Sequence, residues 1–396
     1  MNKKTTMPGF RPKRLTAAIG ALVLGAGAVT AQAGPTIQFG EQGSLTLNYE
    51  LQIWSQYRDF RSDANDGEIY DTFLRRNRIT AMGQYNDYVG FYAQIEAGND
   101  SKYGEDDKST YYRDAYITFD WSDSTRFIFG RFKNTFSREN LEACLEPLTL
   151  DRGLISYTPF GGTRDTGVAM WGNLADAKFQ YRFMVSDGRE GEEVPSDSPR
   201  LTGRVHYSLF DPEYSYGYRG TYLGTQRVLT IGAAYDYQAD AVYANYPGKA
   251  DARDYSAYTV DLFYEEPMEA GTLTLSGAYL DYSVDGALTD LPLLADPTVP
   301  ERAEMEAYYV KGGWLFGQKI GIGRLQLFAR HESSDYDRDD DLRDNQLNAV
   351  GANYYLDGQQ LKLTFEYADV SYDEEDLSNN TYSDHKQATL GFQMLF

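Results

Sequence analysis

The chain has few of the residues on which covalent cross-links and metal sites depend. Its 396 residues include one cysteine, Cys144, and three histidines, His206, His331 and His385. A single cysteine cannot form a disulfide within the chain. The histidines are far apart, and none belongs to an H-E-x-x-H or C-x-x-C-H motif. We therefore expect no disulfide, no metal site, no cofactor and no enzymatic activity.

The sequence also lacks long apolar runs and an excess of positive charge. After residue 33, no stretch approaches the run of about 18 apolar residues that a membrane-spanning helix needs. Lys and Arg number 37 against 59 Asp and Glu, so the formal net charge is −22. Such an acidic chain is a poor ligand for nucleic acid and for anionic lipid surfaces.

The first 33 residues have the features of a secretory signal peptide. Residues 1–14 contain five basic residues and no acid, residues 15–31 are apolar or small, and Ala31-Gln32-Ala33 fits an A-x-A cleavage pattern. We predict that residues 1–33 are removed, and that residues 34–396 form one domain. An uncleaved membrane anchor is the alternative, although the apolar stretch is short and rich in glycine and alanine.

Apolar and polar residues alternate with a period of two along most of the remaining chain. Leu45, Leu47 and Tyr49 alternate with Thr46 and Asn48, for example. This pattern predicts strands with one apolar and one polar face. Sixteen such segments occur, near residues 44–57, 72–85, 88–98, 110–121, 125–133, 165–172, 177–187, 200–209, 227–237, 254–264, 272–282, 305–316, 323–332, 346–355, 360–368 and 386–396.

Tight turns and long polar connectors alternate between these segments. This arrangement is typical of a transmembrane β-barrel, in which a last strand ending at Phe396 can close on the first strand. We predict an all-β fold: a 16-stranded antiparallel transmembrane β-barrel with both termini at the short-turn end. The connector at 210–226 is too long for that end and is the weakest point of the topology.

A soluble β-sandwich would show the same alternation. Two features favour the barrel: strands of roughly ten residues match a tilted membrane crossing, and aromatic residues cluster near strand ends as in an interfacial girdle. The aromatic residues in question are Tyr57, Tyr85, Tyr88, Trp121, Tyr237, Tyr264, Tyr282, Tyr355 and Tyr367.

The polar face of each strand should line the lumen of the barrel. Parity places basic and acidic residues there together, and the "RRNR" sequence at 75–78 is the densest basic stretch. In the segment 125–133, Phe127 and Phe129 share parity with Arg131 and Lys133, so a bulge or a strand end is expected.

Several stretches together resemble the phosphate-selective porin O and P family. They include "FLRRNRI", "YRDAYITF", "FGRFKNTFSRENL", "LNAVGANYYL" and "QLKLTFEYA", and the likeness extends from about residue 44 to residue 396. The resemblance implies sixteen strands, a trimer, and a third external loop at 134–164 that folds into the lumen as a constriction. Phosphate-selective members carry arginine ladders and lysine clusters, but this loop has no lysine beyond Lys133 at its base.

From parity and resemblance together we predict the pore-lining residues. They are Arg76, Arg78, Arg131, Lys133, Arg152, Arg182, Arg204, Lys311 and Arg330. We expect a porin of the bacterial outer membrane that passes ions and small hydrophilic solutes, with oxyanions such as phosphate among them.

The expected partners are outer-membrane lipid, lipopolysaccharide, the barrel-assembly machinery, which would recognise the terminal Phe396, and two further copies of the chain. The alternatives are a non-transporting surface or adhesin-type barrel that uses its acidic loops, and a barrel enzyme. For the enzyme, His331 and Ser333 near the outer face are the candidate residues.

Overall fold

The alternating pattern forms strands along nearly the whole described chain. A computed structural model describes nine ranges of the chain, namely residues 34–60, 67–98, 109–153, 163–191, 194–245, 248–287, 304–337, 344–373 and 383–396. These residues contain seventeen strands and one short helix, and that helix is not long and apolar enough to cross a membrane. The predicted signal peptide, residues 1–33, lies outside the described residues.

The elements follow one another in the order of the predicted segments, with one additional short strand at the start. They are β1 (Thr36–Phe39), β2 (Gly43–Phe60), β3 (Glu68–Gln84), β4 (Val89–Ala97), β5 (Thr110–Ser122), β6 (Thr125–Lys133), α1 (Arg138–Leu141), β7 (Arg164–Leu174), β8 (Phe179–Ser186), β9 (Arg200–Ser208), β10 (Val228–Asn245), β11 (Ala250–Met268), β12 (Gly271–Ser283), β13 (Glu304–Ile320), β14 (Gly323–Asp337), β15 (Asn345–Asp357), β16 (Leu361–Tyr372) and β17 (His385–Leu395).

Strands β2 to β17 form a closed antiparallel barrel of sixteen strands, as predicted. Each strand pairs with its sequence neighbours, and β17 closes the barrel on β2 from Leu395–Glu50 to His385–Phe60. The strand β1 pairs with the first residues of β2, in line with the end of β17. Closure gives every wall strand two hydrogen-bonded neighbours, which a strand in lipid requires. Both ends of the described chain lie at the short-turn end, which confirms that prediction.

The outer face of the barrel is apolar. The side chains of Ile79, Val310, Val350 and Leu390 are each more than half exposed, which would be costly in water over so many strands. On β17 the alternation continues to Phe396, which is 50% exposed, whereas Gln393 faces the interior and is buried. The apolar face of the last strand therefore points outward, as the sequence predicts.

Two sequence expectations about the strands are wrong. The predicted long connector at 238–253 is mostly strand, because β10 and β11 continue past a bulge as a protruding hairpin. Of the residues assigned to an outer aromatic girdle, Tyr282 and Tyr355 are buried inside the barrel. The alternation alone does not distinguish a tyrosine on the outer face from one that packs in a filled lumen.

Two connectors enter the lumen. Residues 134–153, which we call the inner segment, leave β6 at the long-connector end and contain α1. Residues 209–227, which we call the turn-side segment, join β9 to β10 at the short-turn end. Both segments pack against inward-facing side chains in a cluster of buried apolar residues, namely Tyr116, Ile128, Phe132, Leu141, Ala169, Trp171, Met184, Tyr216 and Tyr218.

Candidate functional site

Strand alternation places charged side chains on the inner face of the wall. On β3, Arg76, Arg78 and Thr80 are buried, whereas Ile79 between them is 57% exposed on the outer face. The guanidinium of Arg78 donates from Nε to Glu96 Oε1 of the neighbouring strand at 2.9 Å. The basic "RRNR" stretch therefore contributes to the lumen, paired with acids of the adjacent wall.

Two β-bulges turn additional arginines toward the lumen. The ladder between β2 and β3 shifts register at Arg75, and the ladder between β4 and β5 shifts at Arg113. Arg75 Nη2 donates to Asp151 Oδ2 of the inner segment at 2.8 Å, and Arg113 forms an ion pair with Glu96. A bulge re-aims the side chain of the extra residue, so each bulge adds one cation to the inner face.

The inner segment crosses the lumen to the opposite wall. It starts at β6, and on the far side Asn353 Nδ2 of β15 donates to Leu148 O at 2.8 Å. On the way back, Asp151 accepts from Arg76 Nη2 at 2.7 Å. The segment is therefore fixed to the wall at several points around its circumference and narrows the lumen there.

A buried lysine of the wall holds the start of the inner segment. Lys311 Nζ of β13 lies 2.9 Å from Glu139 Oε2 and 3.3 Å from Glu142 Oε2. Burial raises the pKa of Glu142 to about 7, with Lys311 opposing the shift and Glu139 adding to it. For Glu139, burial is outweighed by Lys311 and by the backbone N–H of Gly153, so its pKa is lowered. One cation is thus shared by two adjacent carboxylates.

Cys144 marks the point at which four cations converge. Arg78 Nη1 donates to its Sγ at 2.9 Å. Burial alone would raise the pKa of this thiol, but Arg78, Arg76, Lys133 and Arg152 hold it well below its usual range. These four cations therefore favour the thiolate form of Cys144.

Eight of the nine predicted pore-lining residues have side chains directed into the barrel. Seven are buried and Arg330 is half-buried, with Nη2 donating to Glu366 Oε1 at 2.8 Å. The eight are Arg76, Arg78, Lys133, Arg152, Arg182, Arg204, Lys311 and Arg330.

The prediction for Arg131 is wrong. Its side chain is exposed on the outer face, together with Phe129, whereas Ile128 and Phe132 occupy the inner positions. The pairing of β6 with β7 runs from Arg126 to Lys133 without a register shift. The alternation holds as far as Phe132, and only at the end of the strand does Lys133, which shares the parity of Arg131, direct its Nζ inward to Glu142 O. Apolar residues on both faces of this strand made its parity ambiguous.

Four inward cations form no ion pair with a described carboxylate. Lys133 Nζ donates to Glu142 O at 2.6 Å, and Arg152 Nη1 donates to Asn140 O at 2.9 Å. The other two cations, Arg182 and Lys362, also donate to neutral groups. Arg182 donates to Tyr216 O and Tyr218 Oη, and Lys362 donates to Gln359 Oε1. Each of these four cations is therefore bound by neutral acceptors and not by a carboxylate.

Sequence reasoning missed several inward arginines for two reasons. Arg75 and Arg113 lie at bulges, which parity cannot locate. Arg200 has the same parity as Arg204 on β9 and could have been found; it forms a buried ion pair with Asp236. The remaining missed residues are Arg126, Arg138 and Arg164, whose side chains are also buried.

The histidines give no support to a hydrolytic site. His331 lies on the outer face, where Nε2 contacts Tyr308 Oη at 3.2 Å and Nδ1 contacts Asn348 Oδ1 at 2.8 Å. Both ring nitrogens are thus engaged by residues other than Ser333. Among the described residues, no cluster of three His, Cys, Asp or Glu side chains could hold a metal ion. The acidic stretches at 103–108, 338–343 and 374–378 lie outside the described residues.

Comparisons with solved structures give outer-membrane channels at low sequence identity. The anion-selective porin from Comamonas acidovorans is matched with a TM-score of 0.58 and 12% identity, over 90% of this chain and 100% of that chain. The outer-membrane channel DcaP of Acinetobacter baumannii is matched with a TM-score of 0.57 and 16% identity, over 92% and 100%. Salmonella typhi OmpF in complex with daunomycin is matched with a TM-score of 0.59 and 13% identity, over 91% and 100%. These similarities show a shared fold.

The family comparison covers nearly the whole barrel. No curated protein matches the chain. The model of the family described as phosphate-selective porin O and P matches residues 47–396, which include fifteen complete strands of the barrel and most of β2. The match, the closed barrel and the charged lumen agree: the chain belongs to the phosphate-selective porin O and P family and is an outer-membrane porin, a channel for passive diffusion.

Proposed function

We propose that this porin passes small hydrophilic solutes and favours small anions, oxyanions such as phosphate among them. The single observation that supports the proposal is a set of four inward cations, Lys133, Arg152, Arg182 and Lys362, that are bound by neutral acceptors and pair with no described carboxylate. We further propose that these residues line the permeation path together with the paired cations Arg76, Arg78, Arg204, Lys311 and Arg330.

The acidic net charge of the chain does not oppose this selectivity. The net charge of −22 includes many acids in the long connectors, such as the run at 339–341. Their influence on the lumen is screened over a Debye length, which is about 8 Å at physiological salt. Buried cations are screened much less than exposed ones. The charges next to the permeating ion should therefore determine which sign passes.

The protein's processing and assembly complete the proposal. Residues 1–33 serve as a cleaved signal peptide for export, which is supported by their five basic residues followed by an apolar stretch. The assembly machinery recognises the last strand through Phe396, the barrels form a homotrimer, and the long connectors face lipopolysaccharide outside the cell. We propose no catalytic activity, because His331 is held by Tyr308 and Asn348.

The selectivity is tested by removing cations that no carboxylate compensates. The double variant Arg152→Gln with Lys362→Gln removes two inner positive charges. The control, Lys319→Gln with Lys386→Gln, removes two exposed ones. In planar bilayers with asymmetric KCl, we expect the reversal potential of the first variant to move toward cation preference and that of the control to match the parent. Equal reversal potentials for all three proteins would reject the proposed selectivity.

A further inference from the structure

The turn-side segment is unusual for its position. The other connectors at the short-turn end of the described barrel contain two to four residues, whereas β9 and β10 are joined by residues 209–227. A hairpin needs no more than a few residues at this point. The additional residues do not extend away from the barrel, because Tyr216 and Tyr218 are buried inside it. The segment therefore enters the lumen from the end opposite to the inner segment.

The two segments are joined by backbone hydrogen bonds. Ala143 N donates to Tyr218 O at 2.8 Å, and Tyr218 N donates to Leu141 O at 3.2 Å. Two residues further along, Gly220 N donates to Glu146 O at 3.0 Å. The contact is a short parallel ladder that is centred on a bridge between Glu142 and Tyr218. Paired backbones hold one relative position, unlike loose side-chain contacts.

Ion pairs reinforce the junction. Arg138 of α1 donates from Nη1 and Nη2 to the two carboxylate oxygens of Glu213, each at 2.7 Å, and both side chains are fully buried. Arg219 Nε lies 3.0 Å from Glu146 Oε2. A bidentate arginine–carboxylate pair is among the strongest of protein hydrogen bonds. Separating the two segments would therefore leave two buried charges without their partners.

Tyr218 is one of the residues through which the wall holds the turn-side segment. Tyr218 Oη accepts from Arg182 Nη1 at 2.6 Å and from Arg204 Nε at 3.1 Å, and it lies 2.7 Å from His206 Nδ1. With two lone pairs used by the arginines, the hydroxyl hydrogen is available for His206. The aromatic ring of the neighbouring Tyr216 packs edge-on against Trp171 at 5.4 Å between ring centroids.

Together these contacts fill one side of the lumen. The cluster that includes Tyr216 and Tyr218 lies against β5 to β8. A second buried cluster lies against β10 to β13 and includes Phe136 of the inner segment but no residue of the turn-side segment. The inner faces of β2, β15, β16 and β17 carry mainly polar side chains, and the inner segment lies against them: Asn353 Nδ2 donates to Leu148 O and Gln393 Nε2 donates to Leu145 O. Water and ions pass more readily beside polar groups than through packed aromatic residues.

We propose that the turn-side segment is a second constriction element, which narrows the lumen from the short-turn end beside β5 to β9 and, together with the inner segment, sets the upper size of the solute. The inference rests on the proposed channel function. It assigns the size limit to two segments that meet from opposite ends of the barrel, and the junction at Glu142–Tyr218 is the contact that keeps them together.

Gly220 offers a minimal perturbation of this junction. A Cβ atom at residue 220 would lie 2.5 Å from the backbone nitrogen of Leu148, closer than side chains approach backbone atoms. Alanine at this position must therefore push the segments apart. Gly203 on β9 is a matched control, since a Cβ there would meet nothing within 4 Å.

The experiment compares single-channel conductance and the swelling of proteoliposomes in neutral sugars of increasing size. It uses the parent, Gly220→Ala, Gly203→Ala, and a variant in which residues 212–224 are replaced by a short glycine-serine turn. We expect higher conductance and entry of larger sugars for Gly220→Ala and for the shortened variant. The shortened variant should show the larger increase of the two, because it removes most of the segment from the lumen. Gly203→Ala should behave as the parent.

The outcomes distinguish a failure of the second constriction from a failure of the proposed channel function. A parent that conducts, with both altered variants unchanged or less conductive, overturns the second constriction but leaves the channel function in place. A parent that does not conduct, with variants that do, supports the second constriction as a closure and contradicts the proposed passage of solutes in the native state. No conductance in any of the variants overturns both. Folding of each variant is checked by its heat-modifiable migration as a barrel.

Discussion

Removing Lys311 should loosen the start of the inner segment more than any other single change on that side of the wall. Its Nζ lies between the carboxylates of Glu139 and Glu142, at 2.9 and 3.3 Å. In the variant Lys311→Met these two buried acids would face each other without a cation. Breaking a buried ion pair by removing one partner costs about 3–5 kcal/mol.

The cost should depend on pH. In the parent, burial already raises the pKa of Glu142 to about 7, and Lys311 opposes that shift. Without Lys311, burial and mutual repulsion raise the pKa of both carboxylates above the value of 4.5 that applies to a detached segment. A raised pKa means that the docked form binds protons more tightly. Docking is therefore strongest in acid and is progressively lost as the pH rises from about 4.5 through 7.

Hydrogen exchange measures this docking locally. The amides of Leu141, Glu142 and Ala143 donate to Ser137 O, Arg138 O and Tyr218 O, so they exchange only when the segment opens. At pH 8 we expect their protection in Lys311→Met to fall roughly a hundredfold, corresponding to about 3 kcal/mol, with a smaller loss at pH 6 after correction for intrinsic exchange.

The variant Lys319→Met serves as the control, because Lys319 lies exposed near the end of the same strand. Equal protection in Lys311→Met and the parent at pH 8 would refute the reasoning. So would a loss that is larger at pH 6 than at pH 8, since it would show that the carboxylates do not carry the effect.

Three further predictions concern the wall. Neutralising Arg76 and Arg78 together, with glutamine at both positions, should move the reversal potential toward cations, since acids paired with them are left uncompensated; an unchanged potential would remove both residues from the permeation path. The backbone of Phe396 pairs with that of Tyr49 at 2.7 and 3.1 Å. Replacing Phe396 by aspartate should lower the amount of folded barrel in the outer membrane, as measured by immunoblot of membrane fractions. Constant levels would show that Phe396 does not contribute to assembly. Arg78→Gln should raise the pKa of Cys144, so that alkylation by iodoacetamide requires a higher pH than in the parent; coincident pH profiles would contradict the assigned electrostatics.

The strands could be predicted from the sequence because period-two alternation is a local property. All sixteen predicted segments correspond to barrel strands, including the irregular 125–133. The parity of most inward charges followed from the same pattern, as with Arg182 and Arg204. Arg131 shares the parity of Phe127 and Phe129; the resemblance, and not the alternation, placed it in the lumen, whereas the structure keeps it on the outer face.

Bulges and tertiary contacts could not be predicted in this way. Arg75 and Arg113 enter the lumen because the ladder shifts register beside them, and a register shift depends on both strands of a pair. The turn-side segment was recognisable from its length as an exception to the topology. Its destination depends on partners far away in the sequence, such as the pair of Arg138 with Glu213, which no local pattern encodes.

The zero-current potential of the native protein across a tenfold KCl gradient tests the central claim most directly. The account predicts a conducting channel whose potential has the sign of anion preference. This preference should persist as the salt concentration rises, because the cations that produce it, at Lys133, Arg152, Arg182 and Lys362, lie inside the barrel and are weakly screened. A barrel that does not conduct, or one that prefers cations throughout the salt range, would contradict it.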